Sequence, residues 1–339
     1  MALAMGGQAR TTSHDHQRGR VVNHQNIRAP ATPAWRLLGQ SAAMLSLRSS
    51  IEKVAPLRVA VLISGESGTG KELVAAEIHA RSRRSGPFVP LNCAAIPESL
   101  FASELFGHEK GSFTGATRVH QGHFERSHGG TIFLDEVTEM PLSLQASLLR
   151  TLETGTCARV GGETEIPLDI RVVASTNRDA LEAVQTGILR PDLYYRLNEF
   201  FVPVPPLRMR GEDVTLLAGT FLAELNDQHG TRRRLAPEAL RRLREYAWPG
   251  NVRELRHAIQ RSFVLADGDD AQLTVARVLA KGPLDMTLRP GMSIQEMERR
   301  LIDITLEHFG GDKKQSAEAL GISVRTLYNR LRDYERSGD

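Results

Sequence analysis

Five short runs along the chain are apolar almost throughout: 59–64 (VAVLIS), 87–91 (PFVPL), 130–135 (GTIFLD), 170–175 (IRVVAS) and 200–204 (FFVPV). A strand with one wet face alternates apolar and polar residues. Runs without that alternation suit strands covered on both faces, as in a parallel sheet. Helix-patterned segments separate them, so the pattern predicts an α/β unit with a parallel five-stranded sheet. From about 212 to 266 the chain is helix-rich, with starts at Pro237 and after Trp248-Pro249-Gly250. Residues 267–291 mix acids, glycine and proline with little periodicity and read as linker. Ser293 and Glu296 then form a capping box. The helix it opens is expected to bury Ile294, Met297, Leu301, Ile304 and Leu306 and to end at Gly310-Gly311. A short helix at 313–320, Gly321 and a second helix capped by Ser323 follow. Ala317, Leu320, Ile322, Leu327 and Leu331 can share a small core there, the helix-turn-helix arrangement.

Composition narrows the class. Net charge is +3, but residues 1–36 hold five arginines and one aspartate, +4, which leaves −1 for the rest. Overall charge therefore does not argue for nucleic acid. Two cysteines, Cys93 and Cys157, give neither metal spacing nor a disulfide framework. No run approaches the ~18 apolar residues of a membrane span, and the first 30 residues lack an apolar signal region. A cytoplasmic location is the expectation. Residues 1–35, polar and bearing His14, His16 and His24, read as a disordered tail.

Two motifs carry chemistry. VLISGESGTGKE (61–72) is a strand breaking into a glycine-studded loop that matches G-x-x-x-x-G-K at Gly65, Gly70 and Lys71. Gly65, Gly68 and Gly70 let successive N–H groups turn toward a polyphosphate. The helix after the loop adds its positive end, and Lys71 a full charge for the β- and γ-phosphates. Glu72 stands where Ser or Thr normally touches Mg²⁺. The second motif, GGTIFLDE (129–136), ends a strand in two acids. In a nucleoside triphosphatase Asp135 would hold Mg²⁺ and Glu136 would polarise the attacking water. The bland alternatives are a chance glycine turn and solvated acids capping a strand. Near the C-terminus, residues 313–336 carry six basic and three acidic side chains. Arg325, Thr326, Asn329 and Arg330 are expected to face out from the second helix toward a DNA major groove, with Lys313, Lys314 and Ser323 close by. The alternative there is a two-helix packing or dimerisation module.

From about Leu38 to Tyr334 the chain resembles the bacterial enhancer-binding proteins, AAA+ ATPases that activate RNA polymerase carrying the sigma-54 factor. GESGTGKE (65–72), NCAAIPESL (92–100), SELFGHEKGSFTGA (103–116), GGTIFLDE (129–136), LRPDLYYRL (189–197), PPLRMRGEDV (205–214) and WPGNVREL (248–255) carry the likeness, in order. The most diagnostic is GSFTGA, Gly111, Ser112, Phe113, Thr114, Gly115 and Ala116, an insertion most AAA+ ATPases lack. The family usually has alanine where this chain has Ser112. Its loop contacts the sigma factor through the residues matching Phe113 and Thr114. Glycines at 111 and 115 predict a mobile tip.

The resemblance implies ATP and Mg²⁺ as cofactors, with Gly65, Glu66, Ser67, Gly68, Thr69, Gly70, Lys71 and Glu72 around the nucleotide. Asp135 is then the metal ligand. Arg190 and Arg196 resemble arginine fingers that reach a neighbouring subunit's γ-phosphate. Arg253 resembles the lid arginine called sensor II, and Asn177 resembles sensor I. Asn92 resembles the partner that restrains the catalytic glutamate, and Glu72 matches the family.

The implied units are a tail (1–35), an α/β AAA+ core (36–208), an α-helical lid (209–266), a linker (267–291) and an all-α Fis-type helix-turn-helix (292–339). The implied partners are sigma-54 RNA polymerase, double-stranded upstream DNA and further copies of the chain, from dimer to hexamer. Only about 35 residues precede the ATPase, so no receiver or sensor domain is expected there, and control is expected from a regulatory protein acting in trans, from expression level or from a lost domain. A generic AAA+ motor and a DNA-binding regulator with a relic ATPase are the rivals. GSFTGA with the helix-turn-helix argues against the first. Intact Lys71, Asp135, Glu136, Arg190 and Arg196 argue against the second.

Overall fold

The computed structural model describes residues 37–266, 268–269, 271–275, 293–309 and 312–336. The expected tail, most of the linker and Gly310-Gly311 lie outside the described residues. Five strands are parallel: β1 (Val61–Ser64), β2 (Phe88–Asn92), β3 (Thr131–Asp135), β4 (Arg171–Thr176) and β5 (Phe200–Pro203). Their order is β2-β3-β4-β1-β5. The sheet is the one the apolar runs predict, with ends shifted by a residue or two.

Both faces are covered, which is why the strands lack alternation. On one side Val61 and Ile63 of β1 pack with helix α1 (Ala42–Val54) and helix α2 (Lys71–Arg81). α1 presents Met44, Leu47, Ile51 and Val54, a stripe at helical spacing. Leu62 points the other way, as strand geometry requires. It joins Leu91, Ile132, Leu134 and Ala174 against α3 (Glu98–Phe106), α4 (Leu142–Thr154) and α5 (Pro191–Leu197).

A helical unit follows: α6 (Asp213–His229), α7 (Pro237–Glu245) and α8 (Asn251–Val264). Val214, Leu217, Ala218, Phe221 and Leu222 form the buried stripe of α6. Trp248 lies in their core at 1% exposure, its Nε1–H donating to the Leu243 carbonyl at 2.8 Å. Here the linker expectation is corrected. Gln272–Leu273 pairs in parallel with Arg234–Leu235, and Leu273 and Val275 are buried in the same cluster. Two buried side chains among acids leave too weak a pattern to separate strand from linker.

The C-terminal unit has three helices, α9 (Ile294–His308), α10 (Lys313–Ala319) and α11 (Val324–Arg336). Ile302, Ala317, Leu327 and Tyr334 are its buried core, with Leu306, Leu320, Ile322 and Leu331 against them. Ser323 caps α11 as expected, its hydroxyl accepting from the Thr326 N–H at 3.0 Å. On the buried face of α9 Leu306 packs as expected, and Leu301 is a correction. Leu301 is 48% exposed and Ile302 is 2% exposed, because α10 and α11 pack one residue further round. Among the described residues no helix is long and apolar enough to cross a membrane.

Trp248→Ala should destabilise the helical unit by ~3–5 kcal/mol, the cost of deleting a large buried aromatic. Trp248→Phe should lose about 1 kcal/mol, chiefly the indole hydrogen bond. Urea denaturation of both variants checks this, and equal losses would refute the packing role.

Candidate functional site

The glycine loop joins β1 to α2 at the carboxyl edge of the sheet, where parallel α/β folds place ligands. α2 begins at Lys71, so its unpaired N–H groups open into the loop. Gly68 (φ +79°) is the residue that cannot be exchanged, since a Cβ there would sit 2.4 Å from the Gly250 carbonyl. Thr69 is buried, and its hydroxyl donates to the Glu66 carbonyl at 2.7 Å. Lys71 is 6% exposed; its Nζ donates to the Gly65 carbonyl at 2.9 Å and pairs with Glu136 Oε1 at 3.0 Å.

The acids stand where β3 ends. Asp135 Oδ1 accepts from the Ser175 hydroxyl of β4. Glu136 has φ +55°, rare for a residue with a side chain and typical of constrained functional positions. Its carboxylate is held twice, by Lys71 and by the Asn177 N–H, which donates to Oε2 at 2.8 Å. Asn177 thus acts through its backbone. Asn92 does not make the expected contact with Glu136 among the described residues. Its side-chain oxygen instead accepts from the Ala94 N–H at 2.9 Å and caps the turn Cys93–Ala95.

A cavity of about 630 Å³ lies between loop and lid. Ser67 to Glu72, Asp135, Glu136 and Arg253 line its polar end. Leu37, Leu38, Leu217, Phe221 and Val252 line its apolar part, and Arg256, His257 and Gln260 also face it. The sequence reading found the polar end and missed the apolar one. Leu37 and Leu38 look like the close of a polar tail, and Leu217 and Phe221 look like ordinary lid core.

The lid is bonded directly to the loop. Arg253 Nη1 donates to the Ser67 hydroxyl at 3.1 Å. Asn251 donates to Ser67 O and Glu66 Oε2, each at 3.1 Å, and accepts from the Leu207 N–H at 2.8 Å. Arg208 holds Glu66 through two hydrogen bonds, which keep that carboxyl below its ordinary range. Arg210, 2% exposed, donates to Thr69 O at 2.8 Å and Pro205 O at 2.9 Å. Burial brings its guanidinium down to about 10.

Arg190 and Arg196 do not line this cavity. Arg190 pairs with Asp192 at 2.7 Å, and Arg196 with Glu199 while donating to Leu152 O at 2.9 Å. Arg196 precedes β5, at the amino edge of the sheet, opposite the glycine loop. Both side chains are about two-fifths exposed, at 42% and 43%.

GSFTGA tips a hairpin whose stem pairs Gly107–His108 with His120–Gln121. The tip is a closed turn rather than a loose end: the Gly111 N–H donates to Ala116 O at 2.8 Å and the Ala116 N–H to Phe113 O at 3.0 Å. Phe113 is 42% exposed and stacks edge-on against His108. Thr114 and Gly115 are exposed, Ser112 lies against Gly161, and Ala116 is buried. Arg159 clamps the base, bonding Glu109 at 2.8 Å and Glu125 at 2.7 Å.

In the C-terminal unit Lys313, Lys314, Ser323, Arg325, Thr326, Asn329 and Arg330 are all exposed. Arg330 is turned back to Glu298 at 3.0 Å, so it is less available than the sequence suggests. Tyr328, missed from sequence, is 52% exposed beneath Lys313 Nζ at 4.5 Å.

Comparison with known proteins accounts for this arrangement. The sigma-54 interaction domain family matches residues 37–203, the AAA+ ATPase lid domain 208–280 and the Fis family of bacterial regulatory proteins 293–334. Regulatory protein AtoC of Escherichia coli is 44% identical over 327 residues, covering 91% of this chain and 70% of AtoC. Transcriptional regulatory protein FlbD of Caulobacter vibrioides is 42% identical over 316 residues, covering 87% of this chain and 70% of FlbD. The crystal structure of NtrX from Brucella abortus in complex with ATP superposes with a TM-score of 0.67 at 33% identity, covering 89% of this chain and 70% of that one.

The two thiols should be silent. Burial, reinforced by Asp135 and Glu136, pushes Cys93 up to about 12, and burial pushes Cys157 up to about 11. A raised thiol keeps its proton at pH 8 and is a poor nucleophile. Titration with a disulfide reagent at pH 8 should find essentially no reactive thiol in the native chain and both after denaturation. Fast native labelling would contradict the burial of Cys93 and Cys157.

Proposed function

The chain belongs to the sigma-54-dependent AAA+ transcriptional activators with a Fis-type DNA-binding domain, and we propose that it couples ATP hydrolysis at sites shared between subunits to remodelling of a sigma-54 RNA polymerase closed complex into an open one. The observation that carries this reading is a separation. Lys71, Asp135 and Glu136 meet at one edge of the sheet, and Arg196 lies at the other, outside the cavity. An arginine so placed serves a neighbour's nucleotide, and hydrolysis then depends on assembly. The solved complexes of NtrX with ATP and ADP support the nucleotide assignment.

In this reading the loop N–H groups and Lys71 hold the triphosphate, and Arg253 approaches from the lid. Glu136, freed from Lys71, orients the attacking water. Asp135 suits Mg²⁺, a hard cation, because one carboxylate oxygen is bonded to Ser175 and the other accepts no hydrogen bond among the described residues. Mg²⁺ bound there would neutralise charge on the phosphates. The GSFTGA tip offers an aromatic ring and a hydroxyl, no phosphate ligand, and serves as the sigma-54 contact.

Exposed Arg325, Thr326 and Asn329 on α11 are suited to a DNA groove, as in other helix-turn-helix units. The units divide as core 36–208, lid from 209 to at least 275, and helix-turn-helix from 292. An activator of RNA polymerase on DNA works in the cytoplasm.

Thr114→Ala should keep ATP hydrolysis and assembly but lose open-complex formation, read by in vitro transcription from a sigma-54 promoter beside an ATPase assay. Normal transcription would defeat the coupling role. Arg196→Ala should bind ATP and lower kcat by roughly 10³. Mixed with Glu136→Gln subunits, which bind without turnover, it should regain part of the activity. If mixed assemblies form and none recovers, the sites are not shared.

A further inference from the structure

Leu37 and Leu38 are adjacent in sequence but belong to different bodies. Leu37 packs against the sheet cluster and Leu38 against the lid cluster. Both line the nucleotide cavity. Residues 37–41 therefore form a strap across the seam between core and lid.

One carboxylate fixes the strap. Asp213, first residue of α6 and 2% exposed, accepts from the Gln40 N–H at 2.6 Å, the Ser41 N–H at 3.1 Å and the Ser41 hydroxyl at 2.7 Å. The same Ser41 oxygen accepts from the Met44 N–H at 3.4 Å and caps α1. Gly39 turns the strap at φ +145°, and a Cβ there would lie 2.7 Å from both Asp213 Oδ2 and Met44 Cγ. The strap is thus seated on the carboxylate with no room for another residue at its bend.

Asp213 also shares a helix with the wall that the strap faces. Leu217 and Phe221 follow it at four-residue intervals on α6, and both line the cavity. The strap anchor and the apolar lid wall move together when α6 moves. On the nucleotide reading the phosphate groups lie on Ser67 to Lys71, which leaves the apolar lining for the base. A flat purine gains from apolar walls on its faces.

We propose that Asp213 is a positioning residue for the base of the nucleotide: by holding the strap it sets Leu37 and Leu38 against Leu217 and Phe221, and so sets the affinity that the base adds to that of the bare triphosphate. This rests on the nucleotide reading above. Asp213 does not itself line the cavity; it reaches the glycine loop only by way of Arg210, whose carbonyl accepts from the Asp213 N–H at 3.1 Å and whose guanidinium donates to Thr69 O, and that backbone bond is kept in Asp213→Asn.

The test uses the full chain with ATP and inorganic tripolyphosphate as probes. Asp213→Asn keeps the shape but turns an amide toward N–H donors. It should raise the Kd for ATP about tenfold, the scale of losing hydrogen bonds to a charged group. Tripolyphosphate affinity and kcat at saturating ATP should stay within about twofold. Ser41→Ala removes one hydrogen bond and should shift Kd the same way by about threefold. It decides the matter if Asp213→Asn does not fold.

Unmoved ATP affinity in the folded variants would overturn the proposal. So would a parallel loss of tripolyphosphate affinity, which would mean that the glycine loop itself had shifted. A parent chain that bound neither ATP nor tripolyphosphate would overturn the nucleotide reading and this one with it. A normal parent with unmoved variants overturns only the role of the strap.

Discussion

The fold turns on the contact between the glycine loop and the first turn of α8. The Gly68 carbonyl accepts from the N–H groups of Val252 and Arg253, at 3.0 and 3.3 Å. Those donors would otherwise be among the unpaired groups of a helix N-terminus. The approach is so close that only glycine fits at 68, and Asn251 is held at φ +53° to make it. Loop shape and lid position are therefore one variable. The cavity between them, the reach of Arg253 to Ser67 and the strap over the apolar end all follow from it. Arg210 adds a second tie from a buried guanidinium to Thr69, two residues away from Ser67. Such a joint transmits small displacements, because close-packed interfaces shift between discrete arrangements rather than stretch.

Much of this was legible in the sequence where the requirement is local. The phosphate loop needs a fixed spacing of glycine and lysine after a strand, and the spacing is there. Strands covered on both faces need unbroken apolar runs, and these lie within two residues of the observed ends. Requirements that depend on distant partners were not legible. On α9 the pattern offers Leu301 for burial beside Leu306, yet Ile302 is buried with Leu306 against it and Leu301 is exposed. Only the placement of α10 and α11 makes that choice. Gln272–Leu273 is a strand only because Arg234–Leu235 lies beside it. The hold on Glu136 comes from a backbone N–H of Asn177, which side-chain identity does not reveal. Leu37 and Leu38 gain meaning from Asp213, more than 170 positions away.

The hairpin carrying Phe113 and Thr114 follows the same economy. Its glycines predict looseness, yet the tip closes on its own hydrogen bonds and Arg159 ties its base to two carboxylates. Glu125 is only 9% exposed in that pair, so the clamp is better shielded from solvent than a surface ion pair. Ser112, the departure from the usual family residue, lies against Gly161 within that base rather than at the exposed point.

The position of Arg196 at the edge opposite the glycine loop has an arithmetical consequence. Each copy carries half a site at each end, so with sites shared as proposed a row of n copies holds n − 1 complete sites. Only closure of the row supplies the last one. A dimer joined in this sense would run at half the turnover per chain of a closed ring, and the shortfall would shrink as the row lengthened. Turnover per chain therefore reports how the copies are joined: a smooth rise with concentration marks open rows, and a step marks the closing of a ring.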